Sequence, residues 1–388
     1  MFDVVISGAG PSGSRCADVL AKKGFKVALI ERDTAWRKPC GGGLNHRVLD
    51  MYPKLRKLGL PKIRTIVMHS AEYHKLEYRA ASKSQGSIMD RLELDNFIRN
   101  QALDSGAELY DGNVSFDFII KNQTKLGIKT KSKSGTKEYY GKILIVADGM
   151  SSKLAVKSGL RKKWKSEEIA MGKCAIMEGN HNLDDESIYI YFKPFKGYAW
   201  IFPIDEKRFN IGIYTFSEAN LQKNLDIVYN NFINNPEIKY LLPNSTYKQN
   251  WLGAYPFPAN GILDKSMVDN NLLLIGDTAG FVSPISGEGI QHALLSGEIA
   301  AEIAINSLEK EDYSKNILKN FKTHSKIKQQ ITSFKLKKSL REFFYKENGK
   351  FLNKILELAE RDPDFRSQVV DIFMSKSVPS REFLSKIQ

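Results

Sequence analysis

Three glycines near the start of the chain are spaced for binding phosphate groups. Gly8, Gly10 and Gly13 follow an apolar run, Val4 to Ile6, at GxGxxG spacing. Gly8 permits a tight turn, Gly10 lets a pyrophosphate approach the backbone, and Gly13 lets the following helix pack closely on the strand. That helix would begin near Pro11, with free N–H groups and a partial positive charge facing the phosphates.

An acidic residue stands where a dinucleotide site needs one. A second strand, Lys26 to Ile30, ends in Glu31, eighteen positions after Gly13. A carboxylate there can accept hydrogen bonds from an adenosine ribose. The strand, turn, helix and acid together predict a dinucleotide site, but they do not distinguish FAD from NAD.

Two further stretches could contact a ligand. Cys40 precedes three successive glycines, which require either unusual backbone dihedral angles or the close approach of a planar ligand. Arg91 begins an amphipathic helix that runs to Gly106. From the start of this helix, the Arg91 side chain could reach a cofactor phosphate or could lie exposed to solvent. The residues alone do not decide between backbone geometry and ligand contact at Cys40, or between cofactor contact and exposure at Arg91.

Acids also follow two apolar strands later in the chain. Ala147-Asp148-Gly149 ends the strand Tyr139 to Val146, and Gly276-Asp277 ends the apolar run that begins at Asn271. Parallel sheets place ligand contacts at the carboxyl ends of their strands. A long helix, opened by the glycines around Glu288 and ending near Leu308, would return to the same sheet.

These elements predict an α/β fold with an insertion. Residues 1–164 and 261–308 are expected to form a Rossmann-type dinucleotide-binding domain. Residues 165–260 alternate apolar and polar positions, as in an antiparallel sheet with one packed face, and form the candidate substrate domain. Residues 60–90 are expected to lie partly in that domain, and residues 309–388 to form a C-terminal helical region.

The composition indicates a globular protein that remains where it is made. Of its 388 residues, 42% are hydrophobic and 26% charged, and no apolar run approaches the roughly 18 residues needed to cross a bilayer. Asp3 and the glycine turn argue against a signal peptide. Cys16, Cys40 and Cys174 have no paired spacing, which favours a reducing cytoplasm without a disulfide framework or a metal site.

The net charge of +14 is unevenly distributed. Residues 322–346 carry a net +7, and their apolar residues recur near helical spacing, which predicts a basic amphipathic helix. One interpretation is a lysine-rich solvated face over a core stripe. The other is peripheral attachment to the anionic inner face of the cell membrane, with Phe334, Phe343 and Phe344 available to the interface. Nucleic acid is not expected, because no nucleic-acid fold signature accompanies the charge. The basic residues are Lys322, Lys326, Lys328, Lys335, Lys337, Lys338, Arg341 and Lys346.

Taken together, these motifs resemble the FAD-dependent geranylgeranyl reductase family, within the group of p-hydroxybenzoate hydroxylase-type flavoproteins. The resemblance covers nearly all of residues 1–310. Tyr198-Ala199-Trp200-Ile201-Phe202-Pro203, followed by Gly212, is similar to the aromatic signature over that family's substrate cavity. Tyr214 stands where the signature has its second glycine, so the prenyl tunnel is expected to differ in depth and shape. The remaining matches are the GxGxxG turn with Glu31, Lys38 to Gly43, Ala147 to Gly149, Gly276-Asp277 and Gly287 to Gly289.

The resemblance implies a reductase that uses FAD. Hydride from the reduced flavin N5 would saturate isolated C=C bonds of a geranylgeranyl chain on a lipid or diphosphate, with NAD(P)H or ferredoxin supplying the electrons. It implies that Cys40 is catalytic and that Tyr198 and Trp200 wall the cavity above the flavin. The implied cofactor contacts are Gly8, Gly10, Gly13, Glu31, Cys40, Gly41, Gly43, Arg91, the backbone at Val114, Asp277, Gly289 and Ile290.

Two other functions stay open. A flavin-dependent monooxygenase or halogenase shares the FAD frame, and Tyr198 to Pro203 is similar to the halogenase W-x-W-x-I-P element. Against this class, Gly280 stands where aromatic hydroxylases usually carry a histidine, and no clear lysine motif for hypohalous chemistry is visible. A non-catalytic flavoprotein that binds a prenylated lipid is the third function, although a lipid carrier would not need three separate cofactor contacts.

Overall fold

The computed structural model describes residues 1–70, 74–81, 85–192, 196–216, 221–243, 247–263, 267–345, 350–374, 377 and 379–387. The helices, in chain order from α1 to α13, are Pro11–Lys22, His46–Met51, Arg91–Asp104, Lys153–Lys157, Leu221–Ile233, Pro236–Leu241, Ile290–Glu309, Lys315–Leu318, Asn320–Thr323, Ser325–Phe344, Lys350–Arg361, Pro363–Phe373 and Arg381–Ile387. The strands, in chain order from β1 to β17, are Phe2–Ser7, Val27–Ile30, Gly43–Leu44, Thr65–His69, Lys75–Arg79, Ser87–Ile88, Glu108–Tyr110, Val114–Lys121, Thr124–Ser132, Gly135–Val146, Ile169–Gly179, Ser187–Tyr191, Gly197–Pro203, Arg208–Phe216, Tyr247–Pro258, Val268–Asp269 and Leu272–Leu274.

The first sheet has the Rossmann-type arrangement that the sequence predicts. Its strands follow the order β16-β17-β10-β1-β2-β7, and the pairs from β17 to β7 are parallel. Strands buried on both faces read as continuous apolar runs, and β1, β2 and β17 have this pattern. Helix α1 packs against α3 and α7 over this sheet. The fold is α/β, as predicted, and we call this sheet the parallel sheet.

The carboxyl ends of four parallel strands carry the predicted polar and glycine residues. Gly8 follows β1, Glu31 follows β2, Asp148 lies just past β10, and Asp277 lies just past β17. Because these strands run in one direction, the four loops meet at one edge of the sheet. That edge is where a dinucleotide would lie.

The second sheet is covered on both faces. Its order is β15-β11-β14-β13-β12-β4-β5, and all pairs are antiparallel except β4 with β12. Tyr198 and Trp200 contribute to the core on one face, whereas Ala199 and Ile201 belong to a separate core that α5 and α6 complete. The prediction of one packed face was therefore wrong, because two helices inserted after β14 bury the other face. Helices α11 to α13 pack on the face that carries Tyr198.

The predicted basic helix exists as α10, but part of its basic and aromatic surface faces inward. Phe334 is 1% exposed and its ring lies 4.8 Å from that of His292, so the expectation that it is available to a membrane was wrong. Lys337 and Arg341 are also buried, and Arg341 donates to the Ala259 carbonyl oxygen. The cause is the packing of α10 against α7 and against the loop after β15. Lys346 lies outside the described residues.

The outer side of α10 retains part of the predicted charge. Lys326, Lys328 and Lys335 are exposed, while Phe343 and Phe344 are half-buried against the core under the C-terminal helices. Among the described residues, no helix is both long enough and apolar enough to span a bilayer.

Replacing Lys337 with methionine should stabilise the protein below about pH 8. The Lys337 side chain is fully buried, its ammonium nitrogen has no hydrogen-bond partner among the described residues, and burial lowers its pKa to about 8. The unfolded chain therefore binds more protons between pH 8 and roughly 10.4, the ordinary lysine value, so wild-type stability rises across that interval. The Lys337→Met variant should melt about 3 °C higher than the wild type at pH 7, and this difference should shrink towards pH 10.

Thermal melts at a series of pH values measure this difference. Lys335→Met is the matched control, because Lys335 lies on the exposed side of the same helix. A Lys337→Met variant that melts at or below the wild-type temperature at every pH would contradict the account.

Candidate active site

The three glycines of the N-terminal turn have different environments. Gly8 adopts φ +102°, and a β-carbon there would lie 2.4 Å from the Ala147 carbonyl oxygen. A β-carbon at Gly13 would lie 1.9 Å from the Gly8 carbonyl oxygen, whereas one at Gly10 would meet nothing within 4 Å. Gly8 and Gly13 are therefore required by packing, and Gly10 borders open space. No side chain caps α1, which begins directly after Gly10.

The Glu31 carboxylate is fixed against the glycine turn. It accepts hydrogen bonds from the backbone N–H of Ala9 at 2.7 Å and of Arg32 at 2.8 Å. Backbone donors hold the side chain in one orientation, beside the loop that would carry the pyrophosphate.

One cavity of about 560 Å³ connects the parallel sheet to the second sheet. It runs from the glycine turn and Glu31, past the loops after β10 and β17, to the aromatic face of β13. This volume is within the range of cofactor and ligand sites. All the predicted site residues line it except Gly13, which packs beneath the turn: Gly8, Gly10, Glu31, Cys40, Gly41, Gly43, Arg91, Val114, Tyr198, Trp200, Asp277, Gly289 and Ile290.

The acids that follow β10 and β17, Asp148 and Asp277, both line this cavity. Asp148 is next to the glycine turn, and burial raises the pKa of its carboxyl to about 6. Asp277 forms an ion pair with Lys38. Thr278 exchanges hydrogen bonds with the backbone of Gly149, which ties the two acid-bearing loops together.

The Cys40 loop is held by the second sheet. Its carbonyl oxygen accepts a hydrogen bond from Asn210 Nδ2 at 2.9 Å, and Asn210 Oδ1 accepts one from Trp200 Nε1 at 2.8 Å. Gly41 packs so tightly that a β-carbon would lie 2.6 Å from the Phe202 ring. Trp200 therefore positions the loop through Asn210 besides lining the cavity.

Arg91 is buried and faces Cys40, so it is not the exposed arginine that the sequence left open. Its guanidinium is ion-paired with Asp95 at 2.9 Å. Burial alone would lower its pKa, but Asp95 and Cys40 raise it above the ordinary arginine value. Arg91 is thus a permanent positive charge beside the Cys40 loop.

Two tyrosines anchor the loop before α7. Tyr198 donates its hydroxyl proton to the Ser286 carbonyl oxygen at 2.6 Å, and Tyr214 donates to that of Ile285. Burial raises the pKa of both hydroxyls, so both remain neutral donors. With their hydroxyls engaged in this way, they present ring surface to the cavity.

Sequence reasoning missed Asn210 and Lys38. Asn210 was detectable as a polar residue inside the apolar run Phe209 to Tyr214, since a buried amide on a core strand needs hydrogen-bond partners. Lys38 stands next to the glycine-rich stretch but carries no signal that would pair it with Asp277.

Known proteins with similar sequences match most of the chain. The family model described as "FAD binding domain" matches residues 1–298. The digeranylgeranylglycerophospholipid reductase 2 of Methanococcoides burtonii is 30% identical, over 82% of this chain and 79% of that protein. The reductase 1 of Methanosphaera stadtmanae is also 30% identical, over 92% and 88%. The chain belongs to the FAD-dependent geranylgeranyl reductase family.

Solved structures show the same fold. The geranylgeranyl bacteriochlorophyll reductase-like protein of Thermoplasma acidophilum has a TM-score of 0.82 at 22% identity, covering 96% of this chain and 99% of that one. The flavin-dependent brominase Bmp2 has a TM-score of 0.77 at 21% identity, covering 96% and 93%. At these identities the likeness shows the fold shared by reductases and halogenases and does not choose between their reactions.

The residues of this family member fit FAD. Gly10 leaves room where a diphosphate would approach, the uncapped start of α1 offers N–H groups and a positive dipole end, and Glu31 borders the same space. The same cavity continues from there to the Cys40 loop. The protein is accordingly an FAD-dependent oxidoreductase.

Changing Gly10 to valine should remove the flavin without unfolding the protein. A valine side chain would occupy the open space at the turn without meeting any protein atom at its β-carbon. Gly13→Ala is the contrasting variant, because its β-carbon would overlap the Gly8 carbonyl oxygen and should prevent folding. Visible absorbance reports bound flavin, and circular dichroism with thermal melting reports folding. Full flavin retention by Gly10→Val would overturn this placement of the diphosphate.

Proposed function

We propose that this protein saturates isolated C=C bonds in the geranylgeranyl chains of a glycerophospholipid. Its curated relatives carry the name digeranylgeranylglycerophospholipid reductase. The observation that carries the proposal is the apolar inner part of the same cavity, which begins at the Cys40 loop and is walled by aromatic and aliphatic side chains. These are Ile66, Ile188, Ile190, Tyr198, Trp200 and Phe373.

The chemistry suits these walls. Bound FAD, once reduced, would supply a hydride to one alkene carbon, a proton would complete the other carbon, and NAD(P)H or ferredoxin is the proposed electron source. An isolated alkene has no carbonyl to polarise, so the chain's own residues contribute shape and the exclusion of water. Tyr198 and Trp200 present ring surface to the alkene while their polar atoms bind Ser286 and Asn210. The Asn210 hydrogen bond keeps the Cys40 loop, and with it the proposed catalytic Cys40, at the junction of the two parts of the cavity.

Anaerobic single turnover tests the reaction. Purified protein is reduced with dithionite under argon and mixed with a digeranylgeranyl glycerophospholipid in detergent. The flavin should reoxidise as the lipid gains two hydrogen atoms per double bond, measured by mass spectrometry. Trp200→Ala should lower the rate by about tenfold or more while FAD content stays near wild type, because it loosens the loop and opens the wall.

Other outcomes would support the alternative functions. Reoxidation only after oxygen is admitted would indicate a monooxygenase or halogenase, and lipid binding without reoxidation would indicate a carrier. Unchanged turnover and an unchanged flavin spectrum in a Cys40→Ser variant would indicate that Cys40 is only a small residue that fills the loop.

We further propose that the outer side of α10 docks the enzyme on an anionic membrane surface. Lys328 and Lys335 are two helical turns apart on one exposed side, and Leu336 beside them is 42% exposed. Such docking would hold the enzyme at the surface of the bilayer that contains a lipid substrate too apolar to leave it.

Liposome flotation tests the membrane contact. Each lysine near an anionic surface contributes about 1 kcal/mol, so Lys328→Glu combined with Lys335→Glu should weaken binding to anionic vesicles by more than tenfold. Binding should also fall as salt rises, because exposed charges are screened beyond about 8 Å. Lys131→Glu with Lys133→Glu is the charge-matched control, because Lys131 is exposed near the end of β9 and Lys133 is exposed in the turn that follows. Equal binding to neutral and anionic vesicles would indicate that the outer side of α10 is a solvated lysine-rich face.

A further inference from the structure

A second, smaller cavity lies under the C-terminal helices. It has a volume of about 20 Å³ and is enclosed between the second sheet, the end of α10 and helices α11 to α13. Its lining is mostly aromatic and aliphatic and includes Phe192, Arg341, Tyr345, Phe373 and Phe383.

The polar atoms near this second cavity bind elsewhere. Arg341 donates to the Ala259 carbonyl oxygen and lies over the Phe216 ring, and the Tyr345 hydroxyl donates to the Gly197 carbonyl oxygen at 2.8 Å. A space whose walls offer hydrocarbon and no open hydrogen-bond partners does not hold water well. The lining of this small space is therefore suited to hydrocarbon and not to a polar group.

Phe373 separates the second cavity from the main one. Among the described residues it alone lines both, at the last turn of α12, and it is 7% exposed. Its ring centroid lies 5.3 Å from that of Tyr198 and 5.7 Å from that of Phe192. The ring therefore closes the apolar end of the main cavity, with further apolar space directly behind it.

We propose that Phe373 is the residue that limits how far a prenyl chain enters, and so sets the chain length accepted. The inference rests on the proposed function, since it assumes that the apolar part of the main cavity holds the chain. The end of a chain would stop against the Phe373 ring, which also fixes which double bond lies beside the Cys40 loop. Removing the ring joins the two cavities and lets the chain advance under α11 and α13.

Binding of prenyl alcohols of increasing length tests the proposal without turnover. Geraniol, farnesol, geranylgeraniol and solanesol are titrated into the oxidised holoenzyme, and dissociation constants are taken from the shift of the flavin absorption spectrum. Phe373→Ala should favour the longer alcohols over the shorter ones by about tenfold relative to wild type, because more hydrocarbon is buried. Phe373→Trp adds bulk at the same place and should shift the preference towards the shorter alcohols. Because this variant keeps a large ring, it tests the proposal even if the alanine variant folds poorly.

Phe365→Ala is the matched control. Phe365 is on the same helix, is 1% exposed and stacks on Phe383 with ring centroids 4.9 Å apart, but it lines neither cavity. The Phe365→Ala variant should therefore show the wild-type preference for alcohol chain length. A preference that is the same in wild type, Phe373→Ala and Phe373→Trp would overturn this inference alone. A wild-type holoenzyme whose flavin responds to none of the alcohols, and which reduces no prenyl lipid, would overturn the proposed function together with it.

Discussion

The arrangement of the site depends on one carbonyl oxygen, that of Cys40. The loop around it contains three glycines, one of them, Gly42, at φ +75°, and such a segment has many conformations available to it. The Asn210 amide selects one of them by donating to that oxygen, and Trp200 orients the amide in turn. The second sheet, which walls the apolar part of the cavity, thus also fixes the loop beside the expected flavin. The flavin part and the apolar part of the cavity therefore keep a fixed position relative to each other.

Much of this arrangement could be predicted from the sequence, because it depends on local constraints. The glycine spacing specifies a turn that only small residues permit, and apolar runs that end in Glu31 or Asp277 indicate buried parallel strands. The alternation of Tyr198 and Trp200 on β13 predicts that they share a face, and they do. These signals lie within a few residues of each other along the chain.

What sequence reasoning missed depends on contacts between distant segments. The apolar stripe of α10 gives no indication of whether it meets a protein core or a membrane, and Phe334 proved to contact His292. Lys337 counts as surface charge in any composition, yet packing buries it completely. Cys40, whose carbonyl oxygen accepts the Asn210 hydrogen bond, is 170 residues away along the chain. Only the folded arrangement of the helices and the two sheets brings these groups into contact.

The order in which the chain visits the two sheets limits how the protein can fold and move. The chain leaves the parallel sheet after β2 to place β4 and β5 in the second sheet, returns for β7 to β10, leaves again for β11 to β15, and returns with β16 and β17. Neither sheet is a continuous segment, so pairings between distant strands should make folding slow, and neither sheet should be separable by a single cut. The same crossings oppose a hinge motion that would part the sheets. Exchange of ligands is therefore expected to involve movements of the loops and side chains that line the cavity.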